Sequence, residues 1–228
     1  MSNKALVLFS GGIDSTTCLA LAIKKYGQEN VVPLSIIYGQ KHEKEIQSAK
    51  KILDYYGIEG LTFDLTSIFS SSNCSLLKNS TEEIPTGTYV SQKNNQTELV
   101  STYVPFRNGL FLSVASSIAL SHECQVIYYG AHKDDQAGAA YPDCSPTFFH
   151  SMRETIYEGT GKQLILYAPF IHKNKSDIVK EGLELNVPYE LTWSCYEGKE
   201  KPCRKCATCI DRENAFLNNH VTDPLLSI

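Results

Sequence analysis

The sequence predicts an α/β fold, a Rossmann-like doubly wound parallel sheet with a small C-terminal metal-binding segment. Three observations carry this. Short apolar runs alternate with segments of helical period from the N-terminus onward, a glycine-rich turn lies between the first run and the first helix, and four cysteines cluster near the C-terminus. Strands alternating with helices join by right-handed crossovers into a parallel sheet covered on both faces, with ligands expected at the C-terminal ends of the strands.

The elements follow in order. Residues 5–9 are an unbroken apolar run and read as a buried strand, while residues 15–26 place Cys18, Leu19, Ala22 and Ile23 at helical spacing. A second strand is expected over 31–38. Residues 41–56 set Ile46, Ala49, Ile52 and Leu53 at helical intervals, and 61–65 read as a third strand. Beyond them, helices are expected over 109–119, 151–157 and 177–185, alternating with strands over 126–129 and 164–167. Two long irregular stretches interrupt the pattern: 67–103, rich in Ser, Thr and Asn, and 132–147. Structureless stretches of this length are uncommon in compact domains unless functional, so the first reads as a flexible lid or a dimer-contact segment.

Composition excludes several classes. At 228 residues the chain can bury roughly 70% of its unfolded surface in one core. A formal net charge of −4 argues against a broad basic face that wraps nucleic acid, leaving a small anionic ligand in a local pocket open. The apolar run at the N-terminus is too short for a signal-peptide core or a membrane span. Eight cysteines without an export signal point to the reducing cytoplasm, where thiols serve as metal ligands, core residues or nucleophiles.

The phosphate signal is Phe9-Ser10-Gly11-Gly12-Ile13-Asp14-Ser15-Thr16, between the first strand and the first helix. Paired glycines let backbone N–H groups face a phosphate, Ser10, Ser15 and Thr16 add hydroxyls, and a helix N-terminus favours negative charge. Asp14 is a poor phosphate ligand by itself, and its carboxylate fits if Mg²⁺ bridges it to the pyrophosphate. The segment lacks both the Walker ending and G-x-G-x-x-G, so it supports neither a P-loop NTPase nor a dinucleotide site.

Near the C-terminus, Cys195, Cys203, Cys206 and Cys209 fall within fifteen residues, the last three with knuckle spacing. Four thiolates close a tetrahedral site around Zn²⁺, which would be structural because no position stays open; an iron–sulfur cluster is the competing use. The basic residues nearby, Lys199, Lys201, Arg204, Lys205 and Arg212, are mixed with acids and read as a solvated face. Residues 1–190 are thus expected to form the nucleotide-binding domain, and 191–228 a zinc-binding segment with the C-terminal tail.

The loop resembles the SGGxDS loop of the N-type ATP pyrophosphatases, which cleave ATP between its α and β phosphates. Over nearly its whole length the chain resembles the 7-cyano-7-deazaguanine synthase family. The match rests further on Tyr38-Gly39-Gln40-Lys41-His42, Thr102-Tyr103-Val104-Pro105-Phe106-Arg107-Asn108, Tyr141-Pro142-Asp143-Cys144 and Asn174-Lys175-Ser176-Asp177. The resemblance implies an adenine nucleotide alpha hydrolase-like fold and a homodimer with a zinc in each subunit. It also implies a reaction in which 7-carboxy-7-deazaguanine, ATP and ammonia give the nitrile.

It assigns nucleotide contacts to Phe9, Ser10, Gly11, Gly12, Ile13, Asp14, Ser15, Thr16, Thr17, Cys18 and Leu19. Substrate contacts fall to Tyr38, Gln40, His42, Arg107, Asn108, Asp135, Tyr141 and Asp143, with the catalytic load on Asp14, Arg107, Lys175 and Asp135. Arg107 and Lys175 are the cations for charge developing on phosphate and acyl oxygen, Asp135 or Asp143 is a candidate for the amidine edge of the base, and His42 a candidate for taking a proton from ammonium. The sequence departs from the family pattern at Phe106, where many members have Gly, at Gly138-Ala139-Ala140, and at Ser145 in place of Arg. These departures keep open a ligase that stops at the amide or uses another acceptor. A thiolase would need a sulfur-carrying thiol among Cys18, Cys74, Cys124 and Cys144, and a non-enzymatic zinc-ribbon module ranks last.

Overall fold

The computed structural model describes residues 4–89, 91–92, 99–134 and 141–227. Five parallel strands, β1 Lys4–Leu8, β2 Val31–Ile37, β3 Leu61–Asp64, β4 Cys124–Tyr128 and β5 Ile165–Tyr167, form one sheet in the order β3-β2-β1-β4-β5. Ala5 lies opposite Val31 on one side and Val126 on the other, so β1 is central and the order reverses around it. That reversal is where doubly wound sheets open a crevice for ligands.

Alternation along β1 explains why both faces are covered. Ala5 and Val7 point to one face, packing with Leu19 and Ala22 of α1 (Ile13–Tyr26), Ile178 and Val179 of α5 (Lys175–Glu184), and Phe216 of α6 (Ala207–Asn218). Leu6 points to the other, with Leu34, Ile127, Leu112 and Ala115 of α3 (Arg107–Ser121), and Ile156 of α4 (Pro146–Gly159). A strand buried on both faces needs a continuous apolar run. α2 (Lys44–Tyr56) adds Ala49 and Ile52 to the first cluster.

Helix starts differ from the sequence expectation because local capping sets them. α4 begins at Pro146 instead of 151, with the Ser145 hydroxyl accepting from the Phe148 N–H and proline at the first turn, where its missing donor costs nothing. α5 begins at Lys175 in a reciprocal box between Asn174 and Asp177. α6 was not anticipated, since its N-cap and a residue of its first turn are two of the knuckle cysteines, Cys206 and Cys209. Its Arg212 corrects the reading of a solvated basic face. Only 3% exposed, it makes a paired contact to Asp223 (2.7 and 2.9 Å) and donates to Thr192 Oγ1 (2.8 Å) and Tyr189 O (3.0 Å).

The segment 67–103, expected as a flexible lid or dimer contact, is anchored by a short buried apolar set, while most of its other described residues are exposed. Phe69, Cys74, Leu76 and Leu77 are buried with Tyr38 and Val104, and Lys41 N–H donates to Leu76 O while Lys78 N–H donates to Gly39 O. A polar composition concealed this short apolar set. Val90 and residues 93–98 lie outside the described residues.

Candidate active site

A cleft opens at the C-terminal ends of β1, β2 and β4 and is lined by Phe9, Ser10, Gly12, Ile13, Asp14 and Ser15. The loop is held by its own hydroxyls: Ser10 and Ser15 Oγ atoms are 3.1 Å apart, and Ser15 and Thr16 donate to Gly12 O. Gly12 caps α1 without a side-chain bond, so the amides of the first turn are left to the cleft. Gly11 adopts φ +83°, and a Cβ there would lie 2.5 Å from Ala49 N and 2.8 Å from Glu45 O. Gly11→Ala is therefore expected to push the loop off α2 and lower ATP turnover about 100-fold, measured as pyrophosphate release.

Asp14 is the electrostatic centre. Its Oδ2 lies 2.5 Å from Lys175 Nζ and 3.7 Å from His132 Nε2, while Oδ1 is buried with no hydrogen-bond partner among the described residues. Burial opposes the charge on Asp14, but Lys175 and His132 outweigh it and hold the carboxyl below its ordinary value. The Lys175 N–H donates to Asp134 Oδ2 (2.7 Å), which ties α5 to the end of the β4 loop. The Oδ1 atom, aligned with an anion-binding helix start, is the donor a hard cation would take, so the residues present fit Mg²⁺.

The opposite wall is aromatic. The Arg107 guanidinium sits 5.1 Å from the Tyr38 ring and 5.8 Å from Phe111. Burial works against its charge, yet Tyr38, Cys144 and Asp143 more than compensate and Arg107 stays protonated. Hydroxyls run from Thr102 to Tyr141 (2.6 Å), Tyr196 (3.4 Å) and Tyr89 (2.8 Å). Phe106 caps α3 at φ +50°, the left-handed region that favours glycine, which accounts for Gly in the family motif. Its ring lies over Gly109, which has no Cβ to obstruct it, and edge-on to Phe148.

Tyr38, Gln40, Arg107, Asn108, Tyr141 and Lys175 all line the cleft. Three expected placements differ from what the geometry shows. Thr16, Thr17, Cys18 and Leu19 turn into the protein: Thr17 Oγ1 lies 2.9 Å from Tyr189 Oη, and Cys18 and Leu19 join the core. From Ser15 to Ala20 α1 is buried on every side, so these positions meet the core all round the helix. Asp143 is buried beneath the start of α3, where its Oδ2 accepts from the Asn108 N–H (3.0 Å), and so supports the wall without lining it. His42 packs against Gly198 near the cysteines instead of entering the cleft, and burial lowers its pKa. Asp135 and residues 138–140 lie outside the described residues.

Sequence reading missed Glu45, His132, Trp193, Ser194, Tyr196 and Thr208. Glu45 lines the cleft from the first turn of α2, and burial pushes its carboxyl up to about 7 against the pull of Arg107. Its position one turn beyond the Tyr38-to-His42 motif was the available signal. The others enter only through tertiary contacts.

The four cysteine Sγ atoms lie within 4.8 Å of one another, with Cys203 and Cys209 3.9 Å apart. Thiolates about 2.3 Å from a tetrahedral zinc sit ~3.8 Å apart, so the set fits that ion. Hydrogen bonds from Cys195 and Cys209 pull the Cys206 thiol well below its ordinary range. The same segment supplies Trp193, Ser194, Tyr196 and Thr208 to the cleft, with Trp193 Nε1 donating to Cys195 O (2.8 Å).

The family model "Queuosine biosynthesis protein QueC" matches residues 4–220. A 7-cyano-7-deazaguanine synthase from Oceanobacillus iheyensis is 41% identical over 97% of both chains. One from Archaeoglobus fulgidus is 40% identical over 98% of this chain and 90% of that protein. Among solved structures, NMN synthetase from Francisella tularensis shares the fold at TM-score 0.54 and 15% identity, covering 97% of this chain and 79% of its own. With a matching family model across nearly all its length and relatives at this identity, the chain belongs to the queuosine biosynthesis QueC family.

Proposed function

We infer that this chain is an ATP-dependent carbon–nitrogen ligase converting 7-carboxy-7-deazaguanine and ammonia to 7-cyano-7-deazaguanine. The observation that carries the reading is one cleft holding both an anion-binding helix start, with Asp14 and Lys175 in contact, and a buried cation, Arg107, among aromatic rings. The first half suits a polyphosphate, the second a flat heterocycle bearing a carboxylate.

A carboxylate is a poor electrophile because oxide is a poor leaving group. Transfer of AMP to the carboxylate makes AMP the leaving group, and ammonia attack then gives the amide. A second transfer, to the amide oxygen, followed by elimination gives the nitrile, so one arrangement of phosphate-handling groups serves both rounds. Lys175 and the α1 amides stabilise charge developing on phosphate, and Arg107 orients the acid. Mg²⁺, held by Asp14, would add a Lewis acid at the phosphate oxygens. Zinc held by Cys195, Cys203, Cys206 and Cys209 would be structural. We read the enzyme as a cytoplasmic homodimer acting on small molecules without a nucleic-acid partner; the net charge of −4 agrees, and no helix among the described residues is long and apolar enough to cross a membrane.

The thiolase reading is disfavoured by burial, which raises the Cys18 and Cys74 thiols and pushes Cys124 up to about 11. The test is mass spectrometry after incubating zinc-loaded protein with ATP, Mg²⁺, ammonium and the acid. Nitrile is expected. Accumulated amide would place the stop in the second round, and unchanged acid from folded protein would overturn the reading.

A further inference from the structure

We propose that Glu45 is the proton acceptor at nitrogen, taking a proton from ammonium in the first round and from the amide-derived nitrogen in the second. The inference rests on the ligase reading above. Ammonium has no lone pair and holds its proton at neutral pH, so attack on an acyl adenylate needs a base in the cleft.

The acids of the site divide by geometry. Asp14 is bound to Lys175 and held ionised, which makes it a weak proton acceptor, and Asp143 is buried under α3 with its oxygen on the Asn108 N–H. Glu45 is the other carboxylate lining the cleft among the described residues. Its backbone is fixed, since the Glu45 carbonyl packs against Gly11 in the phosphate loop. The side chain lines the same cleft as that loop and interacts with the charge of Arg107. The groups facing it are the Arg107 guanidinium from α3 and the Tyr38 phenol at the end of β2; the loop offers only backbone at Gly11. Burial pushes the Tyr38 phenol well up, so at neutral pH it stays protonated and does not compete as a base. Glu45, with its carboxyl near 7, changes state where the enzyme would work.

The steps balance. Ammonium gives one proton to the Glu45 carboxylate, its freed lone pair forms the C–N bond, the C–O bond to AMP breaks with its electrons leaving on phosphate, and a second nitrogen proton is released to give the neutral amide. Adenylation of the amide oxygen leaves an imidate after one of the two nitrogen protons is lost to solvent; the C–O bond to AMP then breaks with its electrons leaving on phosphate, the last nitrogen proton passes to Glu45, and the C≡N bond forms. Acid, ammonium and two ATP become nitrile, two AMP, two pyrophosphate and protons; the two oxygens of the acid leave in the two AMP phosphates, so no water is consumed or formed.

The test compares wild-type protein with Glu45→Gln and Glu45→Asp, reading kcat/KM for ammonium against pH together with ATP–pyrophosphate exchange in the absence of ammonium. Wild-type activity is expected to fall as pH drops through about 7, because the acceptor is then protonated. Glu45→Gln should lose about 100-fold at pH 7, should lack that inflection, and should collapse onto a single line when plotted against free ammonia. Glu45→Asp should recover part of the rate, and exchange should persist in both variants. An unchanged pH profile in Glu45→Gln, or loss of exchange in parallel with amide formation, overturns the proposal. Wild-type protein that exchanges pyrophosphate yet yields neither amide nor nitrile would instead refute the ligase reading, so the two failures are distinct.

Discussion

Asp14→Asn should lower pyrophosphate release about 1,000-fold while leaving thermal stability near that of the wild type. The substitution keeps shape and removes charge, and charge is what the site uses at that position. Asp14 holds Lys175 at 2.5 Å and presents a buried Oδ1 that has no other partner among the described residues. With Asn there, the cation would lose its anionic ligand and Lys175 its fixed direction, so stabilisation of the transferring phosphate would fail on two counts. Lys175→Ala should cost a similar factor, and the double variant little more than either single one, because the two side chains act as a unit. The pH dependence has a definite sign. Asp14 is depressed in the folded state, so its contribution to stability is present above the unfolded carboxylate value of about 3.9 and is lost only as pH falls through the lower folded value. Asp14 therefore stays ionised between pH 8 and 6, a loss of activity over that range does not belong to it, and the Asp14→Asn residual activity should show the same loss.

Cys206→Ser should release the metal and destabilise the protein by about 4 kcal/mol, a fall in Tm of roughly 10 °C. Cys206 is buried, caps α6 and accepts from neighbouring thiols, so a serine would leave a hard, protonated hydroxyl where the site needs a thiolate. The consequence reaches the cleft, because Trp193 and Tyr196 flank Cys195 and the Trp193 N–H donates to Gly11 O in the phosphate loop (3.0 Å). Activity should fall with the metal. Chelation of zinc from wild-type protein should lower its Tm toward that of the variant and leave the variant itself unchanged; equal shifts in both would show that the cysteines are not the site of binding.

The parallel sheet, the phosphate loop and the cysteine set were all legible in the linear sequence because each is local. A buried strand on both faces demands an apolar run, a glycine pair before a helix needs only adjacent residues to face a phosphate, and knuckle spacing brings thiols together by itself. The helix starts were less legible, since Ser145 and Asn174 act as caps only once the flanking chain has turned. The cleft's far wall was the least legible part. Tyr89, Tyr196 and Thr208 reach it from segments that read as a polar loop and a metal knuckle, and nothing in their neighbours marks them.

The sequence by itself determined the fold class, the clustering of the four cysteines and the Asp14 loop, where spacing along the chain is also spacing in space. Tertiary structure alone decided which carboxylates line the cleft. Asp143 lies within a family motif yet is buried beneath α3, His42 is turned toward the cysteines, and Glu45 is brought into the cleft, where it interacts with the charge of Arg107. Burial and proximity set the protonation of each acid, and both depend on chain segments far apart in sequence.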